Sequence, residues 1–96
     1  MFIVIVRYKV PLPQIDAALE AHRAWLEREF AAGRFILAGP QEPRTGGAIL
    51  AQGCGRTELM DILAEDPFNQ QGLADYEVIE VMARKTDPRL AFLSPA

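Results

Sequence analysis

Residues 2–8 read Phe-Ile-Val-Ile-Val-Arg-Tyr, a β-branched and aromatic stretch of the kind that forms strands. Phe2, Val4, Val6 and Tyr8 share one face, and Ile3, Ile5 and Arg7 the other, so both faces are apolar for most of the length. A strand with one wet face alternates instead. This one therefore reads as central, with its second side covered. Pro11 and Pro13 break the chain, and the apolar period then changes. From Gln14 to about Ala32, Ile15, Leu19, Leu26 and Phe30, with His22 if it is counted and Trp25 beside them, follow helical spacing. Glu20, Arg23, Glu27 and Arg28 fall mostly on the opposite flank, and Gly33 supplies the C-terminal stop.

The rest of the chain is shorter in period and richer in breakers. Phe35 to Ala38 predicts a second strand closed by Gly39-Pro40, and residues 41–47 a loop with a Gly46-Gly47 turn signal. Ala48 to Gln52 predicts a third strand, ended by Gly53-Cys54-Gly55. A second helix is expected from Arg56 to about Glu65, with Leu59, Met60, Leu63 and Ala64 inward, Gly55 or Thr57 as cap and Glu58 in the first turn. Asp66-Pro67 must end it, because the residue before proline is driven out of the helical region. The same dipeptide starts a short turn through Gln71, closed by Gly72. Tyr76 to Arg84 predicts a fourth strand, with Val78 and Met82 on one side and Ile79, Val81 and Ala83 on the other. Residues 85–96 form a tail whose Leu90, Phe92 and Leu93 are expected to dock.

The order β-α-β-β-α-β predicts one α+β domain over residues 1–96, ferredoxin-like, a four-stranded antiparallel sheet with two helices on one face. The helices leave the other face bare, and the two-sided apolar strands argue that a second copy covers it. The expected partner is therefore self, a homodimer formed through the sheet.

Composition narrows the partners. The chain has 96 residues, enough for one domain that gains from association. Its net charge is −3 and its ten Lys and Arg are scattered, which excludes the clustered positive field a nucleic acid requires. A lone cysteine, Cys54, makes neither an internal disulfide nor a Cys-based metal site and suits a reducing compartment. The apolar start at Met1–Arg7 is too short for a signal sequence, and no run approaches a membrane span. A cytoplasmic protein is expected, with no membrane partner.

Candidate chemistry centres on two residues. His22, the single histidine, falls on the core-facing stripe, where imidazole serves either as a satisfied core group or as a proton-transfer group lining a pocket. Asp66 is placed to cap the turn beginning at Pro67, and such a carboxylate retains lone pairs that can orient an imidazole. Arg7 either anchors a substrate anion or pairs with Glu80 across the sheet. Trp25 and Phe68 are core residues or pocket walls. Cys54 lies between glycines, reads as exposed, and has nothing nearby to activate it. No metal constellation is present, and the glycine pairs lack a phosphate-loop context.

The runs Ala21-His22-Arg23-Ala24-Trp25-Leu26 and Ala32-Gly33-Arg34-Phe35-Ile36-Leu37-Ala38-Gly39-Pro40 resemble the first half of the YciI-like (YCII-related) proteins. Ala64-Glu65-Asp66-Pro67-Phe68, Gly72 and Tyr76-Glu77-Val78 resemble the second half. The resemblance implies a dimeric α/β barrel in which two sheets pack face to face, and a cleft where His22 and Asp66 meet as a catalytic pair. A related member eliminates chloride from a chlorinated hydroxyquinol, and muconolactone isomerases share the architecture more distantly. The implied activity is a cofactor-independent lyase or isomerase acting on a small aromatic or lactone molecule, with Arg7, Trp25, Gly39, Pro40 and Phe68 around the substrate. The alternative is a non-catalytic module that binds a small ligand or dimerises. Some relatives carry an arginine one turn before the histidine, where this chain has Leu19. An anionic substrate would then need another cation, Arg7 or Arg44.

Overall fold

β1 (Phe2–Tyr8) occupies the middle of the sheet for the reason its two apolar faces suggest: it has a strand on each side. The computed structural model describes residues 1–94. After β1 come α1 (Leu12–Ala31), β2 (Phe35–Pro40), β3 (Gly46–Ala51), α2 (Arg56–Ala64), the single turn α3 (Pro67–Gln70) and β4 (Ala74–Glu80). A short 3-10 helix spans Pro88–Leu93. The sheet is antiparallel in the order β2-β3-β1-β4. Phe2, Val4 and Val6 point to the helical side and join Ile15, Trp25, Leu59, Leu63 and Phe68 in one buried cluster. The α+β fold read from the sequence is the fold observed.

Its edges differ from the sequence expectation in instructive ways. α1 starts at Leu12, because a proline in the first turn lacks only an N–H that would have had no partner there. Gly46-Gly47 is not a turn but the start of β3. Gly46 sits against the Val6 carbonyl, where a Cβ would overlap the backbone, so glycine is required for β1 and β3 to approach. β4 begins earlier and stops at Glu80, which pairs with Phe2; the last bonds between the two segments are those Val81 exchanges with Met1, where the chain starts. Met82 is consequently exposed.

The inward residues shift as well. α2 buries Leu59, Ile62 and Leu63, while Met60 and Ala64 face out. On α1, Phe30 is 40% exposed and its neighbour Glu29 is buried, held by the Arg34 guanidinium at 2.7 Å. No residue of the 3-10 helix is buried, and Leu90 and Phe92 stand in solvent rather than docked; Pro95 of the expected tail lies outside the described residues. Ile3, Ile5, Leu37, Leu50 and Ile79 line the sheet face opposite the helices, with Leu37 and Ile79 exposed. No helix among the described residues is long and apolar enough to cross a membrane.

Candidate active site

Asp66 sits where two helices meet. Pro67 ends α2 one residue later and forces Asp66 into extended backbone, φ −62° and ψ 124°, so that its side chain turns back over α3. There Oδ1 accepts the Phe68 N–H at 3.0 Å, the capping bond expected of an Asp-Pro start. The same oxygen lies 2.8 Å from Nδ1 of His22, brought across from the middle of α1. Oδ2 accepts the Tyr76 hydroxyl at 2.5 Å, from the inner face of β4. Capping and pairing with the histidine thus coexist on one carboxylate.

Three donors converging on a side chain with 0% exposure match an acceptor-only carboxylate. That inventory assigns the Nδ1 proton to His22 and leaves Nε2 as the free nitrogen. Nε2 has no protein partner, and no buried side-chain nitrogen or oxygen among the described residues lacks one, so Nε2 reaches solvent. The imidazole is held on its face too. It stacks on the Phe68 ring, centroids 3.9 Å apart and planes 3° from parallel.

Burial, and then the bond to Asp66, push the Tyr76 phenol above the ordinary tyrosine range, so it remains a donor at every physiological pH. Tyr76 was not singled out as a site residue by sequence. The available signal was its inward register opposite Val6, ten residues after Asp66.

His22 opens onto a cavity of about 370 Å³ between α1, the β2–β3 hairpin and Phe68. The size is at the small end of ligand pockets. Gly39, Pro40 and Phe68 line it, as do Leu19, Tyr8 and Ile49. Gln41 fixes the hairpin side of this wall by donating to the Val6 and Gly47 carbonyls at 3.2 and 3.0 Å. The cations lining it are Arg23 and Arg44, the latter tied to Asp16 at 2.6 Å.

Two residues expected at the site lie elsewhere. Arg7 is on the opposite sheet face, exposed and paired at 2.9 Å with Glu77 rather than Glu80. Trp25 lies behind the imidazole, 5.6 Å from it between ring centroids, and its indole N–H donates to the Ile62 carbonyl in the core. Cys54 is half-buried against the core rather than exposed, and burial followed by the charge of Glu58 raises its thiol pKa, so it is no nucleophile. No group of three potential metal ligands occurs among the described residues.

A helix-backed antiparallel sheet with a histidine–carboxylate pair above a small cavity is the setting in which comparison with known proteins becomes informative. The pattern of the YCII-related domain matches residues 1–82, and the chain belongs to that family. No curated protein matches the sequence. Among solved structures, the fold is similar to 5-chloro-2-hydroxyhydroquinone dehydrochlorinase (TftG) from Burkholderia phenoliruptrix AC1100, in complex with 2,5-dihydroxybenzoquinone. The TM-score is 0.71 at 24% identity, covering 84% of this chain and 93% of that one. At that identity the likeness is one of fold.

Proposed function

We propose that this chain is a general acid–base enzyme of the lyase or isomerase type, with His22 moving a proton on a small flat molecule held in the cavity. The observation that carries the reading is the asymmetry of the imidazole: Nδ1 is bound to a fully buried carboxylate, and Nε2 is left accessible beside an apolar hollow. Asp66 keeps the ring in the tautomer whose Nε2 accepts, and it stabilises the imidazolium once the proton has arrived. Tyr76 holds Asp66 in turn. Gly39 and Pro40 bound the space that a flat ring enters, and Phe68 backs the imidazole that faces it. Support for a flat substrate comes from the fold neighbour, a dehydrochlorinase whose bound molecule is a six-membered quinone ring.

A positioned general base contributes about 10²–10⁴ in rate, which sets the size of the test. Turnover of small phenols, chlorinated hydroquinones and lactones is measured for the wild type, His22→Gln and Asp66→Asn. Loss of about that factor in both variants, with ligand binding retained, is the expected result. Binding without turnover of any compound in the wild type instead identifies a non-catalytic binding module.

We also propose that two copies associate through the bare sheet face. Five large aliphatic residues from all four strands lie there, an arrangement that soluble monomers avoid.

A further inference from the structure

The charges around the cavity are of one sign. The chain holds thirteen acidic and ten basic residues, yet no Asp or Glu lines the cavity, while Arg23 and Arg44 both do. They come from opposite sides, Arg23 from α1 one residue past His22 and Arg44 from the loop between β2 and β3. Their states differ. Asp16 takes one guanidinium nitrogen of Arg44 from outside the cavity and the Tyr8 hydroxyl stands beside the same fork, which fixes that side chain with N–H donors to spare among its five. Arg23 has no carboxylate within ion-pair distance among the described residues. One arginine is thus pre-positioned and the other uncompensated. The remaining wall around Leu19, Leu26 and Phe68 is apolar.

We propose that Arg23 and Arg44 form an anion subsite, and that the substrate is a flat ring bearing a carboxylate, with the ring toward Phe68 and His22. A carboxylate suits the pair better than a phenol for two reasons. It is ionised at neutral pH, where a phenol with an ordinary pKa near 10 is not. Its two oxygens also match the planar fork of a guanidinium, which gives short charge-assisted bonds of fixed direction. The subsite names the substrate class of the proton-transfer reading above, and it rests on that reading for the place of the ring.

The test uses benzoate, 2,5-dihydroxybenzoate and cinnamate, each against its neutral amide, with affinity measured by calorimetry at low and high salt. The wild type binds the acids about tenfold or more tightly than the amides, the size of one charge-assisted hydrogen bond, and salt narrows the gap. Arg23→Gln/Arg44→Gln binds acid and amide alike, while its melting temperature stays near that of the wild type, because Arg23 is exposed and the half-exposed Arg44–Asp16 pair adds little to stability. Equal affinity of the wild type for acid and amide overturns the subsite. So does a preference that survives the double substitution, and so does no binding of any acid. Neutral phenols turned over in a His22-dependent way, with no acid bound, sink the subsite and spare the proton-transfer reading. Acids bound through the arginines, with no His22-dependent turnover of any compound, do the reverse.

Discussion

The imidazole of His22 lies flat on the ring of Phe68, at a centroid separation of 3.9 Å. Phe68 is also the residue whose N–H donates to Asp66, so one residue braces the histidine's face and binds the histidine's partner. The ring is 2% exposed and meets Tyr8 edge-on at 6.0 Å. Phe68→Leu keeps the backbone donor and most of the apolar volume but removes the flat surface. Its stability falls by about 1 kcal/mol, within the usual range for a hydrophobic swap in a packed core. Turnover falls by more than that loss implies, because the imidazole can then rotate off the cavity. Denaturant unfolding and kcat measured side by side check this; an unchanged kcat would falsify the bracing role.

Tyr76 is predicted to matter twice. Tyr76→Phe strips the hydrogen bond on Oδ2 of a carboxylate with no exposure, which costs about 1–3 kcal/mol at neutral pH. The second effect is on the pH dependence. The folded phenol ionises above the range of a free tyrosine, so the unfolded chain loses its proton first as pH climbs past about 10. The stability held in that protonated phenol is complete below the unfolded value and drains away at higher pH. Cys54, also raised, adds a loss of the same sign beginning near 8.5. The wild type therefore weakens steadily above about pH 9. Tyr76→Phe shows a shallower alkaline slope, by up to about 1.4 kcal/mol per pH unit, because one titrating group is gone. Urea midpoints from pH 8 to 11 measure both slopes.

Two glycines of the β2–β3 hairpin make a matched pair of opposite prediction. Gly46→Ala drives a Cβ into the Val6 carbonyl and forces β1 and β3 apart, at about 2–3 kcal/mol. Gly39→Ala meets nothing within 4 Å, and its register with Ala48 and Ile5 turns the added methyl to the bare sheet face, so fold and cavity both tolerate it. Thermal melts show a loss for the first and none for the second, and ligand affinity is unchanged by the second. A Gly46→Ala protein as stable as the wild type contradicts the close approach of the strands.

What the sequence reveals about this site follows the range of the forces involved. Helix α1, the Asp66-Pro67 stop and the central position of β1 are legible because each rests on local backbone physics or on burial period. The distance between His22 and Asp66 is not local, since 44 residues separate them, and only the resemblance to a family suggested that they meet. Tyr76 and Gln41 carry no local signal, because their partners are set by sheet register, which no single segment encodes. Gly46-Gly47 looks like a turn to any dipeptide rule, yet the Val6 backbone passing beside it decides otherwise. Glu29 could not be ranked above Phe30 for burial without knowing that the chain folds Arg34 back onto it.

The proposed pairing of sheets gives the last prediction its direction. Ile5 lies at the middle of the central strand, half-buried in the single chain, on the face away from α1 and α2. A lysine there leaves the Phe2–Val4–Val6 core untouched and places a charge between Ala48 and Glu77, one step along the same face from the Ile3, Leu50 and Ile79 group. If two copies bury this face, each dimer of Ile5→Lys must desolvate two added charges, a penalty of several kcal/mol per ion. The wild type is expected at twice 10.7 kDa by light scattering at micromolar concentration, and Ile5→Lys at 10.7 kDa with its sheet signal intact. Because an obligate pair draws stability from association, the wild-type melting temperature should also rise with protein concentration, while that of the variant stays flat. A wild type that scatters as a single chain, or a variant that still pairs, would show that this face is not where two copies meet.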